Sequence, residues 1–480
     1  MFSSKSHSYS IYPLAKELTL LGNNVTLFNY GVKTIAKFKD INVKEILFND
    51  SEIYDAHIEM YGRLAWNKND PKIMKLLPMM VYRYGKYLSN NSDYHDLLNT
   101  KWDGVIINEA LIGQAAVSAI YMKEKNNIPI ISLSTTDYSF CQASFRGLER
   151  YSLIEGSMYF GGEEKYKPKN FYYKFKTFLG NIKEYNLFVN NLSSLYQILA
   201  DFINIEISLE KFYSYSSWNI VETFDRVFLP APISSSTTFS GSSCDDIKKE
   251  TLKDKKLEDF INDNNSNGTI YMAFGSQMSW NWAPLHVVEN FMKVFERLEN
   301  YKVIWSINID LVNITIPSNV LLVSWAQQTA ILNHSKTKVF ITHGGLKSFK
   351  ESICGGVPML SIPFYVDQTK NSLNGEILGI LERVDRFNLT TNNIYNKLFK
   401  VLKDNNYKRN VIKIRNFISD RIMNPTKESA YFTNKIIKIK HKYPYQREFW
   451  KIRGSKVFFT SRYFCDTIFL LLFLFIFISF

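Results

Sequence analysis

Short apolar runs alternate with helix-length stretches through both halves of the chain, and this rhythm restricts the fold more than any other feature. In the first half a helical stretch, Ile11–Leu21, is followed by Gly22 as a C-terminal cap, and a strand is expected at Asn24–Asn29. Further strands are expected at Gly104–Ile107 and Ile128–Leu133, with a helix at Ala115–Lys125 between them. The second half repeats the pattern. Strands are read at Thr269–Phe274, Lys302–Ile307, Val320–Val323, Lys338–Ile341 and around Pro358–Ile362, and a helix at His286–Leu298. Runs that are apolar throughout, rather than alternating with polar residues, belong to strands buried on both faces, as in a parallel sheet covered by helices. A chain of 480 residues exceeds one ordinary core. Two doubly wound α/β domains are therefore expected, with a ligand bound at the carboxyl ends of the strands in the cleft between them.

The polar run Ser234–Ser243 and the charged Asp245–Lys256 behind it mark the domain boundary. The expected units are residues 1–235, a linker at 236–250, residues 251–415, basic tail helices at 416–462, and an apolar end at 463–480. That end is free of charge from Thr467 to Phe480, about 14 residues against the roughly 20 that cross a bilayer. We read it as a membrane anchor cut short. Lys and Arg before it would on their own place the preceding side in the cytosol. Lys and Arg total 58 against 45 Asp and Glu, a formal charge of +13. Much of the excess lies in Lys435–Lys451, read as a solvated or membrane-facing tail. No zinc-finger spacing, RNA-binding signature or basic-region heptad accompanies it, so nucleic acid is not an expected partner. Cys141, Cys244, Cys354 and Cys465 form no CxxC pair, and the redox compartment stays open. No apolar run suitable for a signal peptide occupies Met1–His7.

One segment carries chemistry. A strand ends in Thr342-His343-Gly344-Gly345, and a helix should begin near Leu346–Ser348. Glycines let a backbone approach a ligand closely, and a helix N-terminus offers free N–H groups to a phosphate. His343 and Ser348 add side-chain donors. Glu351, one turn into the helix, could accept from ribose hydroxyls. Asp367 and Gln368 follow a further strand and supply an acceptor and an amide. Trp325 offers a flat face for a base. Together these groups suit a nucleoside diphosphate with hydroxyls at both ends. No GxGxxG follows the first strands, which disfavours a nicotinamide dehydrogenase.

Trp325 to Gln368, 44 positions without a gap, closely resembles the signature of the UDP-glycosyltransferase family, which includes the animal UDP-glucuronosyltransferases and the plant secondary-product glucosyltransferases. The resemblance implies a GT-B type fold, two Rossmann-like doubly wound domains facing across a cleft, with a C-terminal membrane anchor. It implies an N-terminal acceptor-binding domain and a C-terminal UDP-sugar-binding domain. Trp325 would stack on uracil and Gln328 would help hold the uridine. His343, Gly344, Gly345 and Ser348 would contact the diphosphate, Glu351 the ribose, and Asp367 with Gln368 the donor sugar. Phe274-Gly275-Ser276 is similar to the family's Phe-Gly-Ser loop and places Ser276 on the diphosphate. Gln327 stands where the family usually has Pro.

In the first half, Ser6-His7-Ser8 and the helix after it are similar to the family's Ser-His motif, which makes His7 the general base. A hydroxyl acceptor needs such a base, and imidazole titrates in the right range. The family's orienting carboxylate falls at Asn108, with Glu109 beside it, and Glu109 is the chosen partner. The family's first strand, which precedes the Ser-His motif, has no counterpart, so the first sheet should lack a central strand. The expected reaction is inverting transfer of a hexose or glucuronic acid from a UDP-sugar to a hydroxyl of a small lipophilic acceptor, a detoxification-type conjugation, without metal or cofactor. Aromatics at Phe171–Phe178 are expected to grip the acceptor. Expected partners are the UDP-sugar, the acceptor, a membrane and optionally a second copy of the chain. The resemblance places the catalytic part in the lumen of the endoplasmic reticulum. The competing readings are a homologue that binds UDP-sugar without efficient transfer, and a transferase for a lipid-linked or cell-wall sugar.

Overall fold

The structure is a computed structural model that describes residues 5–31, 38, 40–48, 51–66, 72–109, 112–148, 157, 159, 169–228, 233–241, 243–245, 247, 250–275, 278, 280–307, 314–364, 366–445 and 448–451. Its strands are β1 Thr26–Gly31, β2 Asn42–Leu47, β3 Val105–Asn108, β4 Ile130–Ser134, β5 Ser216–Val221, β6 Thr237–Phe239, β7 Thr269–Ala273, β8 Lys302–Ser306, β9 Val320–Val323, β10 Thr337–Thr342, β11 Met359–Ser361 and β12 Leu381–Arg383. In the first half the helices are α1 Lys5–Leu20, α2 Ser51–Trp66, α3 Lys72–Ser89, α4 Ser92–Asn99, α5 Ile112–Asn126, α6 Phe140–Phe145, α7 Phe171–Asn186, α8 Ser193–Asp201 and α9 Leu209–Tyr215. The second half holds α10 Lys255–Ile261, α11 Leu285–Glu296, α12 Gln328–Asn333, α13 Leu346–Gly355, α14 Asp367–Ile377, α15 Thr391–Lys403, α16 Asn405–Ser419 and α17 Pro425–Lys442.

The second half forms one six-stranded parallel sheet in the order β12-β11-β10-β7-β8-β9. The apolar runs show why it is buried on both faces. Ile270 and Met272 of β7 join Val339 and Ile341 of β10 in one core cluster. Tyr271 and Ala273 join Phe340 in the cluster on the opposite face. Successive side chains point to opposite faces, so only an unbroken apolar run satisfies both. Relative to β7, the chain winds outward through β8 and β9, then returns to place β10 on the other side. That reversal is the switch point of a doubly wound sheet, where a crevice opens at the carboxyl ends.

The first half is parallel too, but in two pieces: β1-β2 and β3-β4-β5-β6. Among the described residues no strand joins β1 to β3. β6 lies inside the segment read as a linker. It pairs with β5, Asn219 opposite Thr237, as the sheet's last strand.

The halves are interleaved. Ala65 and Trp66 of α2 belong to the core of the second half, where the Trp66 ring sits 5.0 Å from that of Phe364. In return, α17 crosses back onto the first. Ala430 and Ile436 pack with Leu14, Leu18, Ile131 and Ile220, and Phe432 stacks on Trp218 at 4.8 Å. Beyond the helix, the Trp450 indole donates to the Ser217 carbonyl at 2.8 Å. The apolar face of the basic segment is therefore docked on the first half, while Lys435, Lys438 and Lys442 stay exposed. Cys244 and Cys354 form a disulfide that ties the inter-domain segment to the last turn of α13. No helix among the described residues is long and apolar enough to cross a membrane, and the apolar end at 463–480 lies outside them.

Candidate functional site

β10 leads through His343 and Gly344 to Gly345, which caps α13 with no side-chain bond to the helix. The cap residue itself bonds none of the first amides of α13, and the Asp367 carboxylate accepts from that of Leu346. The other amides of that turn present a partial positive charge toward the crevice. Gly344 has φ +83, and a Cβ there would lie 2.4 Å from Ser372 Oγ. A side chain is excluded by both conformation and space, so the backbone itself can meet a ligand. Gly275 follows β7, the other strand of the switch point. A Cβ on it would lie 2.9 Å from the His343 ring, and one on Gly345 would lie 2.5 Å from His343 Nε2. The imidazole is thus held between two glycines from the two loops that flank the crevice. Its Nδ1 is buried without a hydrogen-bond partner among the described residues. Burial lowers the pKa of His343 to about 4, so the ring is neutral at pH 7.

Gln328, at the start of α12, organises the next layer. Its amide donates to Ser348 Oγ at 3.1 Å and to the Glu351 carboxylate, while its carbonyl accepts from the Tyr271 hydroxyl at 3.2 Å. Burial raises the pKa of Glu351, and the Gln328 bond opposes that shift. Trp325, before α12, is 77% exposed and offers a free ring face to a base. Gln327 accepts from the Lys253 amide at 2.7 Å and so ties this loop to the inter-domain segment.

At the far end, Val366 caps α14 with φ 53 and ψ −125, a region a β-branched residue rarely adopts. Strain of this kind gathers where a backbone is held for a purpose. It sets Asp367 and Gln368 at the start of α14. Asp367 accepts from Asn371 Nδ2 at 3.1 Å, and burial pushes its carboxyl up to about 6. Gln368 Oε1 accepts from the Phe364 amide at 3.0 Å. His343, Gly344, Gly345, Ser348, Glu351, Gln328, Trp325, Asp367 and Gln368 therefore lie on β10, α13, α12, α14 and the loops between them, all at the carboxyl side of one sheet. Ser276 lies outside the described residues.

The facing half differs more from expectation. His7 falls within α1, not before it, and its side chain lies outside the described residues. Asn108, at the end of β3, accepts from Thr135 Oγ1 at 3.3 Å. Glu109, the expected partner of His7, is buried and ion-paired with Arg146. Arg146 also donates to Asn219 at 2.7 Å and Ser132 at 3.0 Å, and lies over the rings of Tyr138 and Tyr213. The charge of Glu109 is thus already balanced. The aromatics expected to grip an acceptor are corrected as well: in α7, Phe171, Tyr172, Phe175 and Phe178 are exposed, and only Tyr173 and Thr177 of that stretch are buried.

Sequence reasoning missed the residues that cross the cleft. Lys370 of α14 pairs with Asp137, in the loop after β4, and both are buried. The charge of Lys370 also acts on buried Glu184 of α7, which accepts from the Cys141 amide at 2.9 Å and from Ser157 Oγ at 2.5 Å. The Tyr159 hydroxyl has its pKa raised by burial and then by Glu184, with Asp367 adding to it, so Tyr159 lies near both halves of the site. A lysine and an aspartate 233 positions apart carry no local signal, and only the fold pairs them.

A doubly wound sheet with a glycine-lined crevice at its carboxyl side, an exposed Trp325 ring and a facing parallel domain form the two-domain GT-B architecture. A family model described as UDP-glucoronosyl and UDP-glucosyl transferase matches residues 74–442, and the chain belongs to that family. It is 31% identical over 194 residues to an ecdysteroid UDP-glucosyltransferase of Lacanobia oleracea granulosis virus, covering 40% of this chain and 42% of that protein. It is 30% identical over 200 residues to a UDP-glucuronosyltransferase of Pleuronectes platessa, covering 42% of each. The chain spans less than half the length of these relatives. Among solved structures it is similar to a UDP-glucose: anthocyanidin 3-O-glucosyltransferase in complex with UDP, with a TM-score of 0.59 at 16% identity over 89% of this chain and 95% of that one. The calicheamicin glycosyltransferase gives 0.59 at 14%, over 90% and 95%. These likenesses establish the GT-B fold.

Proposed function

We propose that the protein transfers a hexose or glucuronic acid from a UDP-sugar to a hydroxyl of a small lipophilic acceptor, with inversion at the anomeric carbon. The observation that carries this reading is the meeting of Gly275 and the His343–Gly345 turn at the switch point, beside the α13 N-terminus. Charge that develops on departing UDP would lie against those amides and the His343 ring, which is where fixed donors lower a barrier. Trp325 and Gln328 would hold the uridine, Ser348 and Ser276 the diphosphate, Glu351 the ribose, and Asp367 with Gln368 the sugar. His7 would take the acceptor's proton as the oxygen attacks the anomeric carbon. A membrane anchor at 463–480, residence in the endoplasmic reticulum with the catalytic part lumenal, and conjugation of detoxification type complete the reading. The Cys244–Cys354 disulfide supports an oxidising compartment.

One observation favours the alternative, a homologue that binds UDP-sugar without efficient transfer: Glu109 is committed to Arg146 and is not a spare counter-charge for His7. UDP release, measured with UDP-glucose and UDP-glucuronic acid in the presence and absence of phenols and alcohols, separates the two. Transfer predicts acceptor-dependent release that His7→Ala abolishes. UDP-sugar binding with no release for either protein would leave the binder.

A further inference from the structure

The last turn of α2 is spaced for a contact. Gly62, Ala65 and Trp66 stand at i, i+3 and i+4, so they share one face of the helix. That face leaves the first half and enters the second. A Cβ on Gly62 would lie 2.2 Å from Cδ1 of Trp282, so only a glycine lets α2 come this close to the turn Trp280–Trp282 behind the Gly275 loop. Arg63 lies over the same Trp282 ring at 5.1 Å. Ala65 and Trp66 are buried in the core of the second half. The Trp66 ring meets Trp280 at 5.5 Å and Phe364 at 5.0 Å. Phe274 completes the cluster, 5.0 Å from Trp280 and 5.6 Å from Phe364. One ring of the first half thus touches both loops of the second, the one that follows Gly275 and the one that leads to Asp367.

The two loops do not depend on that ring equally. Trp280 also packs on Phe291 and Trp305, at 6.0 Å and 5.1 Å, so its place survives without Trp66. Phe364 has two ring neighbours among the described residues, Trp66 and Phe274. Its amide holds Gln368 Oε1 at 3.0 Å, and it stands two positions before Val366, the strained residue from which α14 starts. A segment in an unfavourable conformation keeps it only while its surroundings enforce it. Loss of the Trp66 ring therefore loosens the corner from Phe364 to Gln368. The Gly275 loop, the α13 N-terminus and Trp325 keep their own supports.

We infer that Trp66 is a positioning residue for the donor sugar: through Phe364, the first half holds Asp367 and Gln368 in place. This rests on the proposed UDP-sugar site, in which those two residues meet the sugar and not the nucleotide. Titration calorimetry on the full chain with UDP, UDP-glucose and UDP-glucuronic acid reads it as the ratio of UDP-sugar to UDP affinity. Trp66→Ala should weaken the UDP-sugar roughly tenfold, the worth of one or two hydrogen bonds to sugar hydroxyls, and leave UDP within about twofold. Trp66→Phe should restore most of the ratio. Gly62→Ala drives α2 off Trp282 with the Trp66 side chain intact, and it should lower the ratio as well. Leu298→Ala opens a hole in the same core but ahead of β8, at the amino ends of the strands; it should lower the unfolding temperature and leave the ratio unchanged. Equal weakening of UDP and UDP-sugar by Trp66→Ala, a wild-type ratio in Gly62→Ala, or an equal shift in Leu298→Ala overturns the inference. Should Trp66→Ala fail to fold, Gly62→Ala decides it. Wild type that binds both ligands but transfers no sugar would remove the proposed reaction alone, because the ratio is read at equilibrium. Wild type that binds neither would overturn both.

Discussion

Asp137→Ala would remove the carboxylate paired with the Lys370 ammonium at the junction of the two halves. Both side chains are about nine-tenths buried, and they pair across 233 positions of sequence. Stranding one member of a buried pair costs about 3–5 kcal/mol, whereas replacing both by apolar groups is often near neutral. Lys370→Met should be at least as damaging, because it removes the cation that acts on both buried Asp137 and buried Glu184. The double variant removes the mismatch and should recover most of the loss, giving a coupling energy of about 2–3 kcal/mol. Urea unfolding followed by tryptophan fluorescence measures this from midpoints and slopes. UDP affinity should hardly change, since the diphosphate crevice lies wholly in the second half. Additive losses within about 0.5 kcal/mol would refute the argument, because they would mean the two groups do not feel each other.

Trp325→Ala should weaken UDP binding by about 1–3 kcal/mol, roughly 5- to 150-fold by calorimetry, with unfolding midpoints unchanged because the ring is exposed. Gly344→Ala should abolish UDP binding, since the new methyl group meets Ser372 Oγ and the backbone is left-handed there. His343, with its folded pKa near 4 against 6.5 unfolded, lends stability that is present above pH 6.5 and lost as pH falls through 4; His343→Gln should flatten that part of the stability–pH curve. Cys244→Ser should lower stability by about 5 kcal/mol on the chain-entropy view, given the 110-residue separation of the bonded cysteines, and thermal unfolding with and without reductant would check it.

The second half was legible because its local signals agree with its global role. β9 falls on the expected Val320–Val323, and β7, β8 and β10 lie within a residue of expectation, since runs such as Thr269–Ala273 are apolar on both faces. The strands that escaped notice lack that signature. β5, Ser216–Val221, is fully buried yet opens Ser-Ser and contains Asn219, whose side chain is held by Arg146. β6 hides in a serine- and threonine-rich run because only three of its residues pair. In the site, the glycines, His343, Gln328 and Glu351 were readable because each acts close to its own helix or turn. The Asp137–Lys370 bridge and the Glu109–Arg146 pair were not, because a partner's identity depends on topology, and one-dimensional spacing does not encode it. The aromatic run of α7 misled for the same reason: its composition suggested a binding wall, and the side it faces is set by Glu184.

The return of α17 to the first half bears on how the chain is made. β5 ends at Val221, but the helix that covers its neighbours begins only at Pro425. At about 5–20 residues per second, roughly 10–40 s of synthesis separate them. Through that interval Ile131, Ile220 and Trp218 await Ala430, Phe432 and Ile436. One face of the first half's sheet cannot be covered before the second half has been translated. The usual order in which an N-terminal domain is finished first is here inverted, and a ribosome-bound intermediate would carry an open sheet face for a chaperone to shield.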